Sequence, residues 1–172
     1  MEWMLLPLKR YVEFSGRSRR KEYWMFFLFT IIASIVLGII DGLLGLTLGG
    51  GEGGVSTALS TGVLGGLFSL ATIVPSIAVG VRRLHDTDRR GWWLLMPAGL
   101  LIAGLFLGGV LGGTAGSVAG LGAGIGLAMI IFLIGALVLL VFFCLDGTRG
   151  PNRFGPDPKD PAGAADLREV FR

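Results

Sequence analysis

Leu121–Leu145 reads LGAGIGLAMIIFLIGALVLLVFFCL, a run without a single charge. At ~1.5 Å per helical residue it crosses the ~30 Å hydrocarbon core of a bilayer with length left for tilt. Three further runs resemble it: Trp24–Leu48, Gly62–Val81 and Trp92–Leu111. Pro75 inside the second is tolerable where neighbouring helices re-satisfy the backbone. A soluble chain of 172 residues has no interior able to hide four such segments. Composition agrees, with 52% hydrophobic residues, 16% charged residues and 30 glycines. The mean hydropathy is +0.74. Disorder, a disulfide scaffold and a free-standing soluble enzyme are excluded. The expected fold is an all-α integral membrane protein, one membrane domain over residues 1–172 with four transmembrane helices and a polar tail from 146 to 172.

The charges set the expected orientation. Lys9, Arg10, Arg17, Arg19, Arg20 and Lys21 precede the first span, Arg82, Arg83, Arg89 and Arg90 lie between the second and third, and the other five cations follow the fourth. None falls in either loop on the opposite side, so the positive-inside rule predicts both termini in the cytoplasm. Only Asp41 and Glu52 among the acids lie elsewhere. A net positive inner face favours anionic phospholipid headgroups, and this topological work of the cations makes nucleic acid an unexpected partner. The first apolar run exceeds a signal-peptide core and reads as an uncleaved span.

Ahead of it, Trp3, Met4, Leu5, Leu8, Tyr11 and Val12 form a helical stripe too short to cross, which predicts an interfacial N-terminal helix interrupted or restarted at Pro7. Gly104, Gly108 and Gly112 in the third span, Gly116, Gly120 and Gly124 leading into the fourth, and Gly62 with Gly66 in the second, predict close helix packing in a four-helix bundle. Asp41 has two readings: a functional intramembrane carboxylate, or an interfacial residue near the end of its helix.

The polar motifs are specific. After Gly16, Ser18 is positioned to cap a helix whose first turn holds Arg19, Arg20, Lys21 and Glu22, with Tyr23 and Trp24 at interface depth. Arg82–Gly91 reads RRLHDTDRRG, in which Arg82 and Arg83 suit a helix C-terminus, Asp86 lies one turn beyond Arg82, and Thr87 or Asp88 can cap the next helix before Trp92 and Trp93. Asp146–Pro158 reads DGTRGPNRFGPDP, whose Gly, Pro and Asn positions specify an ordered loop, with Arg149 and Arg153 as cations for Asp86, Asp88 or phosphate. Asp160 and Pro161 then open a possible terminal helix. One histidine and the lone Cys144 are thin for a metal site, no nucleophile is set against a base, and neither metal nor cofactor is expected.

Together these motifs carry a resemblance: Phe14, Gly16, Arg17, Arg20, Glu22, Tyr23 and Trp24; Arg82–Asp86 with Gly91 and Trp92; and Asp146, Gly147, Thr148, Gly150, Asn152, Arg153, Phe154, Gly155, Asp157 and Pro158. The chain resembles the bacterial inner-membrane family known as domain of unknown function 805, over roughly residues 10–158. Asp88 and Arg90 depart from it, standing where a smaller residue and a serine are expected. The resemblance implies a multi-pass helical protein of the bacterial cytoplasmic membrane and supplies no reaction.

The leading expectation is a structural or binding protein. Arg17, Arg20, Arg82, Arg83, His85, Asp86 and Arg153 form a basic cytoplasmic face toward an anionic headgroup or partner protein, and Gly16, Glu22, Trp24, Gly91, Trp92, Asp146, Gly147, Asn152 and Gly155 shape it. A membrane-protein partner or a second copy is a further expectation. The alternatives are a small transporter or accessory with Asp41 and His85 as polar stations, and a lipid-active enzyme using His85 and Asp86.

Overall fold

A computed structural model describes residues 2–46, 62–114 and 118–159. Its helices are α1 (Glu2–Lys9), α2 (Arg20–Leu44), α3 (Val63–Asp86), α4 (Met96–Thr114) and α5 (Val118–Cys144), with a 3-10 turn over Gly91–Leu95 leading into α4. Among the described residues, four helical segments are long and apolar enough to cross a membrane: Arg20–Leu44, Val63–Asp86, Gly91–Val110 and Gly122–Cys144. The Asp160 helix, Glu52 and Gly116 lie outside the described residues.

The helix ends differ from the sequence expectation for local reasons. Gly16 at φ +84° turns the chain out of the N-terminal segment. Ser18 does not cap α2, because its N–H is drawn to the Arg82 carbonyl at 3.1 Å. The N-cap is Arg19, extended and without a side-chain capping bond to the helix. The run Arg82–Asp86 forms the last turns of α3 rather than a connection. Thr87 is the C-cap of α3, Asp88 takes φ +56°, and the next helical turn starts after Arg90, so neither Thr87 nor Asp88 caps the third span. Pro7 does not break α1; it sits inside the helix and is buried. In an eight-residue helix it removes only one backbone bond, and α1 packs against both α2 and α3. The Tyr11 hydroxyl donates to the Ala71 carbonyl of α3 at 2.6 Å.

The expected bundle resolves into two antiparallel hairpins, α2 with α3 and α4 with α5. In the second, a Cβ on Gly104 would stand 2.8 Å from the Cα of Ala128, and one on Gly108 2.5 Å from the Gly124 carbonyl oxygen. Such backbone proximity is how helices associate in lipid, where burial alone gives no drive. Gly135 extends the seam against Pro97 and Leu100. The hairpins meet at their polar end, where Phe143 of α5 packs on Tyr23 with ring centroids 4.3 Å apart and lies against Gly80. Leu94 of the 3-10 turn also covers Gly80, and Gly91 lies against Val81.

At the far end, Asp41 is wholly buried. Its carboxylate accepts the N–H groups of Leu64 at 3.0 Å and Gly65 at 2.9 Å, two of the donors that the N-terminus of α3 leaves unpaired. Any Cβ on Gly62 would collide with this carboxylate. Asp41 is therefore the cap that joins the two helices of the first hairpin, while Gly45 at φ +66° ends α2.

Candidate functional site at the polar end

The three polar motifs converge on Asp86. Arg17 Nε donates to Asp86 Oδ1 at 3.0 Å and Arg83 Nη1 to Oδ2 at 2.5 Å, so both carboxylate oxygens are engaged. The side chains of Arg17, Asp86 and Arg83 are 1%, 4% and 0% exposed, which removes these ion pairs from the solvent screening that makes surface pairs weak. Arg17 also donates through Nη1 to the Gly150 carbonyl at 2.6 Å and through Nη2 to that of Thr148 at 2.5 Å. One guanidinium thus ties the segment before α2 to α3 and to the loop after α5. Gly147 is required beside it, because a Cβ there would strike the Asp86 carboxylate.

Arg83 serves a second helix. Its Nε reaches the Phe143 carbonyl at 3.2 Å and its Nη2 the Leu145 carbonyl, while Arg20 Nη1 bonds that of Cys144 at 3.0 Å. These cations sit where α5 concentrates unpaired carbonyls and the negative end of its dipole. The loop reciprocates for α3: the Thr148 N–H donates to the Asp86 carbonyl at 2.8 Å and Asn152 Nδ2 to that of His85 at 2.9 Å. Asn152 pairs with Gly155 across a tight turn, and Gly150 and Gly155 take φ of +77° and +141°.

His85 lies within this framework. Its ring stacks on Phe154 with centroids 3.9 Å apart and planes 3° from parallel, and Nδ1 lies 3.2 Å from the Gly16 carbonyl, placing the proton on that nitrogen. Arg82 pairs with Glu22 rather than with Asp86, Nη1 to Oε1 at 3.0 Å, and both are buried. That contact is close but poorly directed: Arg82 Nε, Nη1 and Nη2, Glu22 Oε1 and the Ser18 hydroxyl have no well-aligned hydrogen-bond partner among the described residues.

Of the seven residues read as the basic face, Arg17, Arg82, Arg83 and Asp86 are buried and paired internally, and His85 is half-buried. Arg20 and Arg153 reach the surface, 44% and 50% exposed, where they pair with Asp146 at 2.5 Å and Asp88 at 3.0 Å. The shaping residues lie around the network: Trp24 packs edge-on against Tyr23, and Trp92 projects outward at 76% exposure. Sequence reasoning missed the reach of Arg83 to α5 and the anchoring of Arg19 on the Pro158 carbonyl through Nε at 2.7 Å. Neither has a local signal, since both partners are remote in sequence.

Four apolar helices closed at one end by an ion-paired polar cap define a multi-pass membrane protein. The chain belongs to the family described as protein of unknown function DUF805, which matches residues 11–156. It is similar to inner membrane protein YhaI of Escherichia coli (strain K12), 40% identical over 159 residues that cover 92% of this chain and 97% of the relative. It is likewise 40% identical to inner membrane protein YhaH of the same organism, over 92% of this chain and 98% of that one. No solved structure matches the chain.

Proposed function

We propose that this is a binding protein of the bacterial cytoplasmic membrane, with both termini and the polar cap in the cytoplasm, α1 at the inner interface, and a basic rim that engages anionic phospholipid headgroups. The observation that supports this reading is the division of labour among the cations. Arg17, Arg82 and Arg83 are consumed inside the cap, whereas Lys9, Lys21, Arg149 and Arg153 are exposed around it. Indoles lie among them, with Trp3 beneath Arg19 and Lys21 at 5.6 and 5.9 Å and Trp92 facing outward. Cations beside interfacial tryptophans suit an anionic leaflet, each worth about 1 kcal/mol near the surface. The rigid interior holds the rim in register, so headgroup binding needs no reordering of the cap.

The test is thermal stability of detergent-purified protein with added phosphatidylglycerol or phosphatidylcholine. The proposal expects stabilisation by the anionic lipid alone, diminishing as salt screens the rim and in a Lys9→Gln, Lys21→Gln, Arg153→Gln variant. Equal response to both lipids overturns it.

A further inference from the structure

Beside the buried Arg17–Asp86 pair lies a cleft of about 200 Å³, bounded by the loop after α5. It is smaller than the ~300 Å³ at which sites for drug-sized ligands begin, and suits a group of headgroup size. The lining is balanced in charge: Arg17, Arg149 and Lys159 against Asp86, Asp146 and Asp157. Arg17 and Asp86 satisfy each other at the floor, leaving two cations and two carboxylates toward the opening.

The rim groups differ in how far they are committed. Arg149 is exposed and makes no hydrogen bond or ion pair among the described residues. Lys159 Nζ stands 3.4 Å from Asp146 Oδ1, a long contact between side chains 57% and 67% exposed, which water or a ligand can replace at little cost; the same Oδ1 also pairs with Arg20 at 2.5 Å, while Oδ2 has no partner among the described residues. Asp157 accepts the N–H groups of Lys159 at 2.8 Å and Gly150 at 3.1 Å, and these bonds hold its carboxyl below the usual carboxylate range and ionised. A purely anionic ligand would meet two carboxylates in this space, and a purely cationic one would meet two cations.

We infer that the cleft is a seat for a zwitterionic phosphoamine, a phosphate joined by a short linker to a primary ammonium, with the phosphate toward Arg149 and Lys159 and the ammonium toward Asp146 and Asp157. The inference rests on the membrane-facing reading of the cap and assigns a second headgroup class to a cleft that shares Arg149 with the basic rim. Arg149 supplies paired planar donors for phosphate oxygens, and a primary ammonium supplies three N–H donors that a quaternary one lacks. An aminophospholipid of the bilayer and a soluble phosphoethanolamine share this chemistry.

The test is native mass spectrometry of the full-length protein in detergent, titrated with phosphatidylethanolamine, phosphatidylcholine and phosphatidylglycerol. Phosphatidylethanolamine is expected to be retained about tenfold over phosphatidylcholine, the worth of one charge-assisted hydrogen bond. Arg149→Gln and Asp146→Asn should each abolish that preference, whereas the Lys9→Gln, Lys21→Gln, Arg153→Gln rim variant, altered only outside the cleft lining, should keep it. Loss of phosphatidylglycerol retention in the rim variant reports on the general basic-rim reading and not on the cleft. A soluble O-phosphoethanolamine arm separates the sources: displacement of bound lipid identifies the headgroup alone as the ligand, and lipid retained against it identifies the bilayer lipid. Equal retention of the two zwitterionic lipids, or a preference that survives both substitutions, overturns the assignment.

Discussion

Asp86 holds two buried guanidinium groups at once, so its removal leaves Arg17 and Arg83 inside the cap with no carboxylate between them. Asp86→Ala is expected to cost about 3–5 kcal/mol, read as a large fall in melting temperature in detergent. His85→Ala loses a hydrogen bond to Gly16 and a stacked ring, and is expected to cost about 1–2 kcal/mol. A destabilisation by His85→Ala exceeding that of Asp86→Ala would reverse these roles. Sequence alone places Asp86 among arginines but leaves open which ones. On a helix both i−3 and i−4 lie on its face, and the choice of Arg83 follows from Glu22 in the first turn of α2 engaging Arg82. Likewise the carboxylate of Asp41 is visible as an anomaly in an apolar run, while its use as a cap depends on where α3 begins across a long connection.

Helix-scale packing separates glycines that sequence periodicity treats alike. Gly108 and Gly124 bring two backbones together, whereas the Cβ position of Gly122 has, among the described residues, no neighbour within 4 Å beyond its own helix backbone. Gly108→Leu or Gly124→Leu is expected to lose about 1–3 kcal/mol by overpacking, and Gly122→Leu to stay within about 0.5 kcal/mol, again by melting temperature. Equal tolerance at all three would remove the seam as the basis of the second hairpin. Hydropathy locates these helices but misjudges their ends, because it marks where charge begins rather than where hydrogen bonding stops. The Arg82–Asp86 run stays helical since its carbonyls find Thr148 and Asn152, partners sixty and more residues away. The loop that provides them has its own pH dependence. The Asp157 carboxyl is depressed by the N–H groups of Lys159 and Gly150, so its contribution is complete above the ordinary carboxylate value and lost as pH falls through the lower folded value. Amide exchange at Gly150, corrected for its intrinsic pH dependence, is expected to accelerate through that acid window in the wild type and to show no such step in Asp157→Asn.

Across the whole molecule, two hairpins are joined at one end, and the chain segments there come from the beginning, middle and end of the sequence. The one-sided charge count anticipated that these segments share a face; it could not anticipate that Arg17, Arg82 and Arg83 would be buried and paired, because burial depends on partners brought by the fold. The proposed orientation is checked in intact cells in a Cys144→Ala background. Leu46→Cys is expected to be labelled by an impermeant thiol reagent from outside, and Ser15→Cys and Lys159→Cys are not; the opposite pattern would invert the topology. The central claim, that one buried ion pair unites the three polar motifs, is tested most directly by a double-mutant cycle on Arg17→Ala and Asp86→Ala, read as detergent-phase unfolding free energy. The account predicts a coupling of about 1–3 kcal/mol, with the double variant clearly more stable than the sum of the single losses implies. Strict additivity of the two losses would contradict it.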